Sequence, residues 1–414
     1  MNKLKESAML ITVGTGIGGK KEATDSLAHG ILKSIENYGP KKVVFFGSEN
    51  SRSTVKSLEE QYKEKYKEDF EIGEFIEIEE IDSFKKYFTA IKSKIIDLED
   101  DYNIIIDYTS GTKTMTMSAA FASMVYRKKL VFVSGERVNG IVVQGTEEIN
   151  SQNLYLVYDD LMITKIKELF NSNRFEAGKV LVDDITNTNE NKDVYTQLFD
   201  AYSAFDCVDY VSALENFDVK EFCIKWPDLE RIFQMNAKAL NILNVEEHGQ
   251  KCYYVLASML NNARRRAEEH KYDDAIARLY RSLELIAQIR LKEYGIKTSD
   301  VDDKLLEDKV DSDYLYDLRL TRDKKSGKIK IGLNQDYILL NELGDDLGDF
   351  YTEHEKLIQN SLQYRNDSIL AHGLSSQNYD QYVEFRDLVL KAAHVLNEKI
   401  DNFIKETIFP EFEI

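Results

Sequence analysis

Short apolar runs alternate with helical segments through the first part of the chain, and this alternation constrains the fold more than any other feature. The runs include residues 8–14 (AMLITVG), 41–48 (KKVVFFGS) and 102–111 (YNIIIDYTSG), and a segment with helical spacing follows each of them. Strands that are apolar on both faces are typical of parallel sheets with helices on both sides. The sequence therefore predicts an open, mainly parallel α/β sheet over residues 1–157.

The strand signals end near residue 157, and the rest of the chain has helical periodicity. We predict an all-α connector at residues 158–235 and an all-α domain at residues 236–414. Residues 253–296 read as two long helices with a turn near Lys271. Residues 321–332 (TRDKKSGKIKIG) predict a polar, basic segment that forms either a loop or a hairpin.

Composition excludes several classes of protein. The 414 residues are 43% hydrophobic and include only 3 prolines, which excludes a disordered chain. No apolar run reaches the roughly 18 residues of a membrane span, and three scattered cysteines suit neither a disulfide framework nor a zinc site. These features predict a cytoplasmic protein without a metal site or membrane contact.

The net charge of −19 bears on possible partners. Tight, nonspecific duplex binding depends on many phosphate contacts from Lys and Arg, so the charge argues against a DNA-binding protein. A local basic patch can still bind a small nucleic-acid substrate, and the bulk negative charge would then limit promiscuous binding.

Residues 14–19 (GTGIGG) match the G-x-G-x-x-G pattern directly after the first predicted strand. The pattern is known from dinucleotide-binding sites, where glycines let the backbone approach a pyrophosphate. The acidic residue expected after the second strand is poorly matched, because Glu49 lies two residues past that strand's end. A nicotinamide-dinucleotide site and a tight turn without ligand are both open interpretations.

A second loop, residues 107–115 (DYTSGTKTM), ends the fourth predicted strand and opens a helix. Its hydroxyls, its lysine and the free N–H groups of the helix suit phosphate or ribose. If the strand order is 3-2-1-4, the loops after the first and fourth strands flank the reversal of order, where open α/β sheets bind ligands. The alternative is a simple helix cap by Thr109 or Ser110, which is compatible with ligand binding.

Residues 364–373 (YRNDSILAHG) contain an arginine and a histidine seven positions apart. On one continuous helix Arg365 and His372 would share a face, about 10 Å apart along the axis, with Asn366 on the flank of the adjoining apolar stripe. Arg can stabilise a phosphate that gains negative charge, and His can move a proton near neutral pH. The alternative is a structural histidine and a surface salt bridge.

A similar spacing separates Arg264 and Arg265 from His270. The residues that follow His270 read as a turn between helices, so we interpret His270 as structural.

Arg365 and Asn366 followed by His372 and Gly373 on a late helix resemble the active-site motif of HEPN ribonucleases. The loop at residues 107–115, after the fourth strand of an α/β domain, resembles the Rossmann-like CARF sensor of CRISPR ancillary proteins, although Ser110 stands where many relatives have a second glycine. In this order, the features resemble the CARF–HEPN ribonucleases of type III CRISPR systems over nearly the whole chain.

The resemblance implies a homodimer in which two CARF domains share one cyclic oligoadenylate activator and two HEPN domains share one RNA-cleaving site. It implies cleavage of single-stranded RNA by attack of the 2′-OH, with no metal or other cofactor. Arg365, Asn366 and His372 are the predicted catalytic residues. The predicted ligand contacts are Gly14, Thr15, Gly16, Ser48, Thr109, Ser110, Gly111, Thr112 and Lys113.

The sequence thus predicts a cyclic-oligoadenylate-activated, metal-independent endoribonuclease of CRISPR antiviral defence. Two alternatives stay open: a non-catalytic sensor whose helical domain dimerises or binds a partner, and a nicotinamide-dinucleotide-binding enzyme that uses residues 14–19.

Overall fold

The computed structural model describes residues 5–16, 20–138, 141–185, 192–368 and 373–414, with the side chains of residues 141, 155, 156 and 365 also left undescribed. The chain forms two compact units, Met1–Leu161 and Met162–Ile414. Across the described helices, none is both long enough and apolar enough to cross a membrane. The predicted order of an α/β region followed by helices is confirmed, whereas the further division at residue 235 stays a prediction.

The strands of the first unit are short. In chain order they are β1 (Glu6–Val13), β2 (Lys42–Gly47), β3 (Gly73–Glu77), β4 (Tyr102–Asp107), β5 (Lys129–Ser134), β6 (Arg137–Val138), β7 (Ile141–Val142) and β8 (Glu148–Gln152). Six of them form one sheet in the order β3-β2-β1-β4-β5-β8. The first five pair in parallel, and β8 pairs with β5 in the antiparallel direction. The first four strands therefore have the order 3-2-1-4, which is the condition for the loops after β1 and β4 to flank the reversal of strand order.

Two features of this sheet differ from the sequence prediction. The apolar pattern of residues 140–145 (GIVVQG) predicts a strand, and β7 is one, but it pairs with β6 as a separate two-stranded hairpin. The sheet instead ends at β8, which the sequence did not predict. The residues of β8 are half-buried or exposed, so the strand lacks the apolar signal that identifies the central strands.

Four helices cover the sheet: α1 (Lys21–Tyr38), α2 (Arg52–Tyr66), α3 (Phe84–Leu98) and α4 (Lys113–Val125). Alternate residues of a strand point to opposite faces. Met9 and Ile11 of β1 therefore lie in a core with α1 and α2, and Leu10 lies in a core with α3 and α4. The helices change sides between β1 and β4, which opens a crevice at the carboxyl ends of these two strands.

The second unit is helical. Its elements are α5 (Tyr155–Asn171), which contains the boundary between the units, α6 (Phe175–Asp183), α7 (Lys192–Asp206), α8 (Tyr210–Glu215), α9 (Val219–Lys225), α10 (Glu230–Asn244), α11 (Lys251–Glu268), α12 (Tyr272–Glu293), α13 (Ser312–Leu320), α14 (Leu333–Glu342), α15 (Asp346–Asp367), α16 (Tyr379–Leu396) and α17 (Ile400–Glu406). The predicted long pair with a turn near Lys271 is confirmed as α11 and α12.

Two hydrophobic cores lie within this unit. One joins the aromatic side chains of α5 to α10 with Phe409 and Phe412 from the C-terminal segment. The other is built around α12 and contains residues of α11 and of α14 to α16, including Leu283, Tyr337 and Phe385. The second core positions the helix that carries the predicted catalytic arginine.

Candidate functional site

The loops after β1 and β4 interlock at the carboxyl edge of the sheet. The N–H of Gly14 donates a hydrogen bond of 2.9 Å to Oγ of Ser110, and the hydroxyl of Thr12 donates to the Ser110 carbonyl oxygen over 2.5 Å. A Cβ on Gly14 would lie 3.0 Å from the Cα of Gly111, so the two backbones meet without room for a side chain. The two loops predicted to act together therefore form one structure.

A cleft of about 370 Å³ opens above the interlocked loops. The described residues around it contribute one arginine and no carboxylate, and the cleft also lies at the N-terminal ends of α1 and α4. Helix N-termini carry partial positive charge, so the cleft favours an anionic ligand. The lining residues are Gly14, Thr15, Gly16, Ala23, Ser26, Leu27, Thr109, Ser110, Gly111, Thr112, Arg137 and Val142.

The β4 loop is held by hydrogen bonds from its own side chains. Asp107 Oδ1 accepts the N–H of Thr109 over 2.8 Å, and the hydroxyl of Thr109 accepts the N–H of Val133 in β5 over 2.8 Å. Asp107 is fully buried, and burial raises the pKa of its carboxyl group. The raised pKa favours the neutral acid, which reduces the negative charge beneath the cleft.

The interpretation of Thr109 or Ser110 as the helix cap was wrong. Thr112 is the N-cap of α4, and its Oγ1 accepts the N–H of Met115 over 3.3 Å. The hydroxyls of Thr109 and Ser110 instead connect the loop to β5 and to Gly14. The position of Ser110 is therefore explained by a contact between the two loops.

Two predicted ligand contacts lie away from the cleft lining. Lys113 is exposed at the first position of α4, next to the lining residue Thr112. Ser48 is buried, with Oγ 3.1 Å from Oγ of Ser51 and its N–H 3.2 Å from the same atom. Ser48 thus caps the short helical turn Glu49–Ser51 that precedes α2, and its role as a ligand contact stays a prediction.

Sequence reasoning missed Arg137, the cation that lines the cleft. Arg137 pairs with Val142 in the β6–β7 hairpin, and the hydroxyl of Ser26 in α1 donates to the Val142 carbonyl oxygen over 3.2 Å. Nearby, Nε2 of His29 lies 3.2 Å from Oε1 of Glu147. These contacts attach the hairpin region to α1 and bring Arg137 to the cleft.

The predicted catalytic residues follow a different geometry from the one expected. The helical pattern of residues 353–373 predicts one helix through Gly373, but α15 ends at Asp367 and Ser368 forms an isolated bridge with Ser375. The expectation of a helix through Ser368 and Gly373 was therefore wrong. Arg365 and the exposed Asn366 lie in the last turn of α15, and His372 lies outside the described residues.

The chain returns to the end of α15 at Gly373. The N–H of Gly373 donates to the Ser368 carbonyl oxygen over 3.2 Å, and the N–H of Ser375 donates to the Asp367 carbonyl oxygen over 3.0 Å. A Cβ at Gly373 would lie 1.9 Å from the Asp367 oxygen, so this approach requires glycine. The residue after His372 is thus fixed against the turn that carries Arg365 and Asn366.

The second Arg–His spacing has a structural explanation. Arg265 is buried, its Nε donates to Asp206 over 2.7 Å, and its guanidinium lies 3.7 Å from the ring centre of Phe409. His270 lies in the turn between α11 and α12, with Nδ1 2.9 Å from the hydroxyl of Tyr272. These contacts support the structural interpretation of His270.

Within the described ranges, no group of three or more His, Cys, Asp or Glu side chains is arranged to hold a metal ion. The second half of the G-x-G-x-x-G pattern, residues 17–19, lies outside those ranges.

Two family models match the helical unit. The Csm6 6H domain matches residues 158–244 and the Csm6 HEPN domain matches residues 244–396. No curated protein matches the chain. The chain therefore belongs to the CARF–HEPN family of type III CRISPR systems, among the Csm6 proteins.

Solved structures share the fold at low sequence identity. Enterococcus italicus Csm6 bound to cyclic hexa-2′-fluoro-hexa-dAMP is 13% identical, with a TM-score of 0.65 over 97% of this chain and 100% of that chain. Can2 from Sulfobacillus thermosulfidooxidans in complex with cyclic tetra-adenylate is 12% identical over 67% of this chain and 68% of that chain. Its TM-score is 0.25, which does not indicate a shared overall fold.

Proposed function

We propose that the protein is an endoribonuclease of CRISPR antiviral defence that a cyclic oligoadenylate activates. The observation that carries the proposal is the cleft above the interlocked loops, in a chain whose helical unit matches the Csm6 HEPN domain. A cyclic oligoadenylate is a ring of phosphodiesters, and the cleft offers glycine backbone, hydroxyls and a cation without a lining carboxylate. The cyclic hexanucleotide analogue bound to Enterococcus italicus Csm6 supports this class of ligand.

The ligand contacts that we propose come from the two loops and the hairpin. The N–H groups of residues 14–16 and 111–112 would approach the phosphates, since the glycines leave the backbone accessible. The hydroxyl groups of Thr15 and Thr109 would contact ribose or phosphate. Arg137 and Lys113 would supply charge-assisted contacts from two sides of the loop.

Cleavage would use the 2′-OH of the RNA as the nucleophile. Attack on the adjacent phosphorus breaks the bond to the 5′-oxygen and leaves a 2′,3′-cyclic phosphate and a 5′-hydroxyl. His372 would transfer a proton from the 2′-OH or to the leaving 5′-oxygen, and Arg365 would stabilise the extra negative charge on the phosphate. Asn366 would orient the substrate or its neighbours. In this mechanism the RNA supplies the nucleophile, so no metal has a role.

A homodimer would complete both sites. A ligand with repeated units fits a two-fold pair of identical loops, and two-fold symmetry is the commonest arrangement of oligomers. The helix α4, which begins at the ligand loop, exposes Met117, Phe121 and Val125 by 49%, 46% and 45%. These residues are spaced by four and share one face of the helix. A second copy of the chain is the partner that we propose for this face.

Cleavage of a fluorogenic single-stranded RNA against a panel of cyclic oligoadenylates tests the function. We expect one ring size to start cleavage and linear oligoadenylates to be weaker. Binding of a ring without cleavage would favour the non-catalytic sensor. Binding of NADH without binding of any ring would favour the dinucleotide alternative, and neither result is compatible with the proposal.

The substitution His372→Ala tests the mechanism. Cleavage should fall by about 10²–10⁴-fold, the usual contribution of a positioned acid or base, whereas activator binding should be retained. A chelator should not change the rate of the wild-type protein, and RNA with a 2′-deoxy group at the cut site should resist. Full activity in the variant would contradict the assignment of His372.

A further inference from the structure

Residues 319–330 (RLTRDKKSGKIK) concentrate positive charge in an acidic protein. The segment contains six Arg and Lys residues and a single carboxylate, Asp323, whereas the whole chain has a net charge of −19. All residues from 321 to 330 except Ile329 are exposed. We call residues 319–330 the basic turn.

A network of hydrogen bonds fixes the shape of the basic turn. Asp323 Oδ1 accepts the N–H groups of Lys325 and Ser326 over 3.1 and 2.6 Å and the Ser326 hydroxyl over 2.7 Å. These bonds lower the pKa of the Asp323 carboxyl, the Ser326 side chain contributing most. The N–H of Gly327 donates to the Asp323 carbonyl oxygen over 2.8 Å, and the N–H of Asp323 donates to the Lys328 carbonyl oxygen over 2.9 Å.

The turn is also anchored to the helical core. Ile329 is fully buried in the core around α12. Its carbonyl oxygen accepts the N–H of Val301 over 2.8 Å, and the N–H of Ile331 donates to the Thr298 carbonyl oxygen over 3.0 Å. The lysines of the turn therefore project from a fixed backbone, which lowers the entropy cost of holding them in a binding arrangement.

The neighbouring acids neutralise only part of the charge. Arg319 and Arg322 both pair with Asp303 over 2.7 Å, and Lys328 lies 3.1 Å from Asp300. No ion pair joins Lys324, Lys325 or Lys330 to any described residue. Arg319 also pairs with Glu307, so the arginines serve the structure of the turn. Lys324 and Lys325 remain for an anionic partner, together with Lys330, whose charge also acts on the Asp323 carboxyl.

We propose that the basic turn binds the phosphodiester backbone of the single-stranded RNA substrate. This inference rests on the proposed ribonuclease function. Lysine is a compact, mobile point charge that contacts phosphates without reading bases, so three of them would bind RNA of any sequence. In a chain with net charge −19, such a local patch reduces the repulsion that RNA would otherwise meet.

The position of the turn predicts a dependence on RNA length. The turn leads into α14, whose Asn334 Oδ1 accepts a hydrogen bond of 3.4 Å from the hydroxyl of Tyr351 in α15. Arg365 lies fourteen residues further along α15, which at about 1.5 Å per residue is about 21 Å along the helix. At the rise of about 3.4 Å per nucleotide of a stacked strand, this distance corresponds to about six nucleotides. This separation lies between the Asn334–Tyr351 contact and the end of α15, and we expect RNAs much shorter than this to reach the end of α15 without contacting the basic turn.

The test is a variant with Lys324→Ala, Lys325→Ala and Lys330→Ala. With saturating activator, we expect the KM for an RNA of about 20 nucleotides to rise about tenfold or more with a much smaller change in kcat. For an RNA of about four nucleotides the KM should follow the wild type. The control carries Lys85→Ala, Lys92→Ala and Lys220→Ala, which remove the same charge from exposed lysines elsewhere in the described chain.

Salt dependence gives a second readout on an uncleavable RNA with a 2′-deoxy group at the cut site. Each phosphate contact contributes about −0.7 to the slope of log K against log salt for a single strand, so loss of three contacts should flatten the slope by about 2. Between about 50 and 200 mM salt, this difference is about 18-fold in affinity. The control variant should keep the wild-type slope.

Three results would overturn the inference. If the basic-turn variant keeps the wild-type KM and salt slope while wild type cleaves RNA, the turn does not bind RNA and the proposed function is untouched. If the variant loses dimer mass by light scattering, the turn contacts protein instead. If wild type neither binds nor cleaves RNA, the proposed function fails and the inference fails with it.

Discussion

Asp336 gives the helical unit a pH dependence that one substitution should remove. The residue lies near the start of α14, is fully buried, and neither carboxylate oxygen has a hydrogen-bond partner among the described residues. Burial raises the pKa of Asp336 from 3.8 to about 7, with the charge of Glu284 acting in the same direction and Arg281 opposing it. At pH values between these two pKa values, Asp336 is therefore mainly protonated in the folded protein and mainly deprotonated in the unfolded chain.

The sign of the effect follows from this difference in protonation. The folded state keeps the proton between about pH 4 and pH 7, so the free energy of unfolding falls as pH rises through that range. A shift of about three units corresponds to about 4 kcal/mol. Asp336→Asn supplies a side chain that does not titrate. The stability of the variant relative to wild type should therefore rise by about 4 kcal/mol between pH 4 and pH 8, whatever the cost of burying the amide.

Urea unfolding at a series of pH values measures this difference. The only tryptophan, Trp226, lies in the same helical unit, so its fluorescence reports on the unit that contains Asp336. Asp349→Asn is the matched control, because Asp349 is exposed on α15. The reasoning fails if Asp336→Asn and wild type lose stability in parallel from pH 4 to pH 8.

Two further predictions concern the sites. Lys113→Ala should weaken activator binding by about one to two orders of magnitude, because a charge-assisted contact contributes roughly 1.5–3 kcal/mol, whereas activity at saturating activator should stay similar. Arg137→Ala should weaken activator binding in the same way. Titration of cleavage against activator concentration checks both substitutions. Gly373→Ala should reduce cleavage without changing activator binding, because the Cβ of the new alanine would meet the Asp367 carbonyl oxygen. Gly249→Ala is the control, because the new Cβ at that position meets nothing within 4 Å.

The central strands could be predicted because burial on both faces makes their sequences continuously apolar. Residues 43–46 (VVFF) and 104–106 (III) are all buried, and no polar residue interrupts the signal. β8 gave no such signal, because its residues 148–152 (EINSQ) are stabilised by pairing with β5 at the edge of the sheet. Its position depends on a tertiary contact that composition does not encode.

The candidate ligand site was likewise predictable from the sequence only in part. The meeting of the loops at Gly14 and Gly111 follows from the strand order 3-2-1-4, which the sequence analysis assumed as a condition and the sheet topology shows. Arg137 could not be placed, since the hairpin that carries it is attached to α1 through Val142, more than a hundred residues from its partner Ser26. A contact between residues so far apart in the chain leaves no local pattern in the sequence.

The end of α15 was misjudged for a related reason. Leu362 and Ile369 keep the seven-residue apolar spacing, so periodicity alone extends the helix through residue 373. The backbone instead leaves the helix after Asp367 and returns at Gly373, where glycine permits a close approach. A glycine that is needed for close contact with the preceding helix end looks in sequence like an ordinary helix end.

The distribution of charge connects the two proposed binding events. Both partners are polyanions, yet the chain carries a net charge of −19, so each must bind where cations lie within a few ångströms. At physiological salt the Debye length is about 8 Å, which screens distant acids more than direct contacts. Arg137 in the cleft and the unpaired lysines of the basic turn meet this condition. The same acidity lowers binding of nucleic acid elsewhere on the surface, so the excess of carboxylates favours binding at the few places where cations are not balanced by nearby acids.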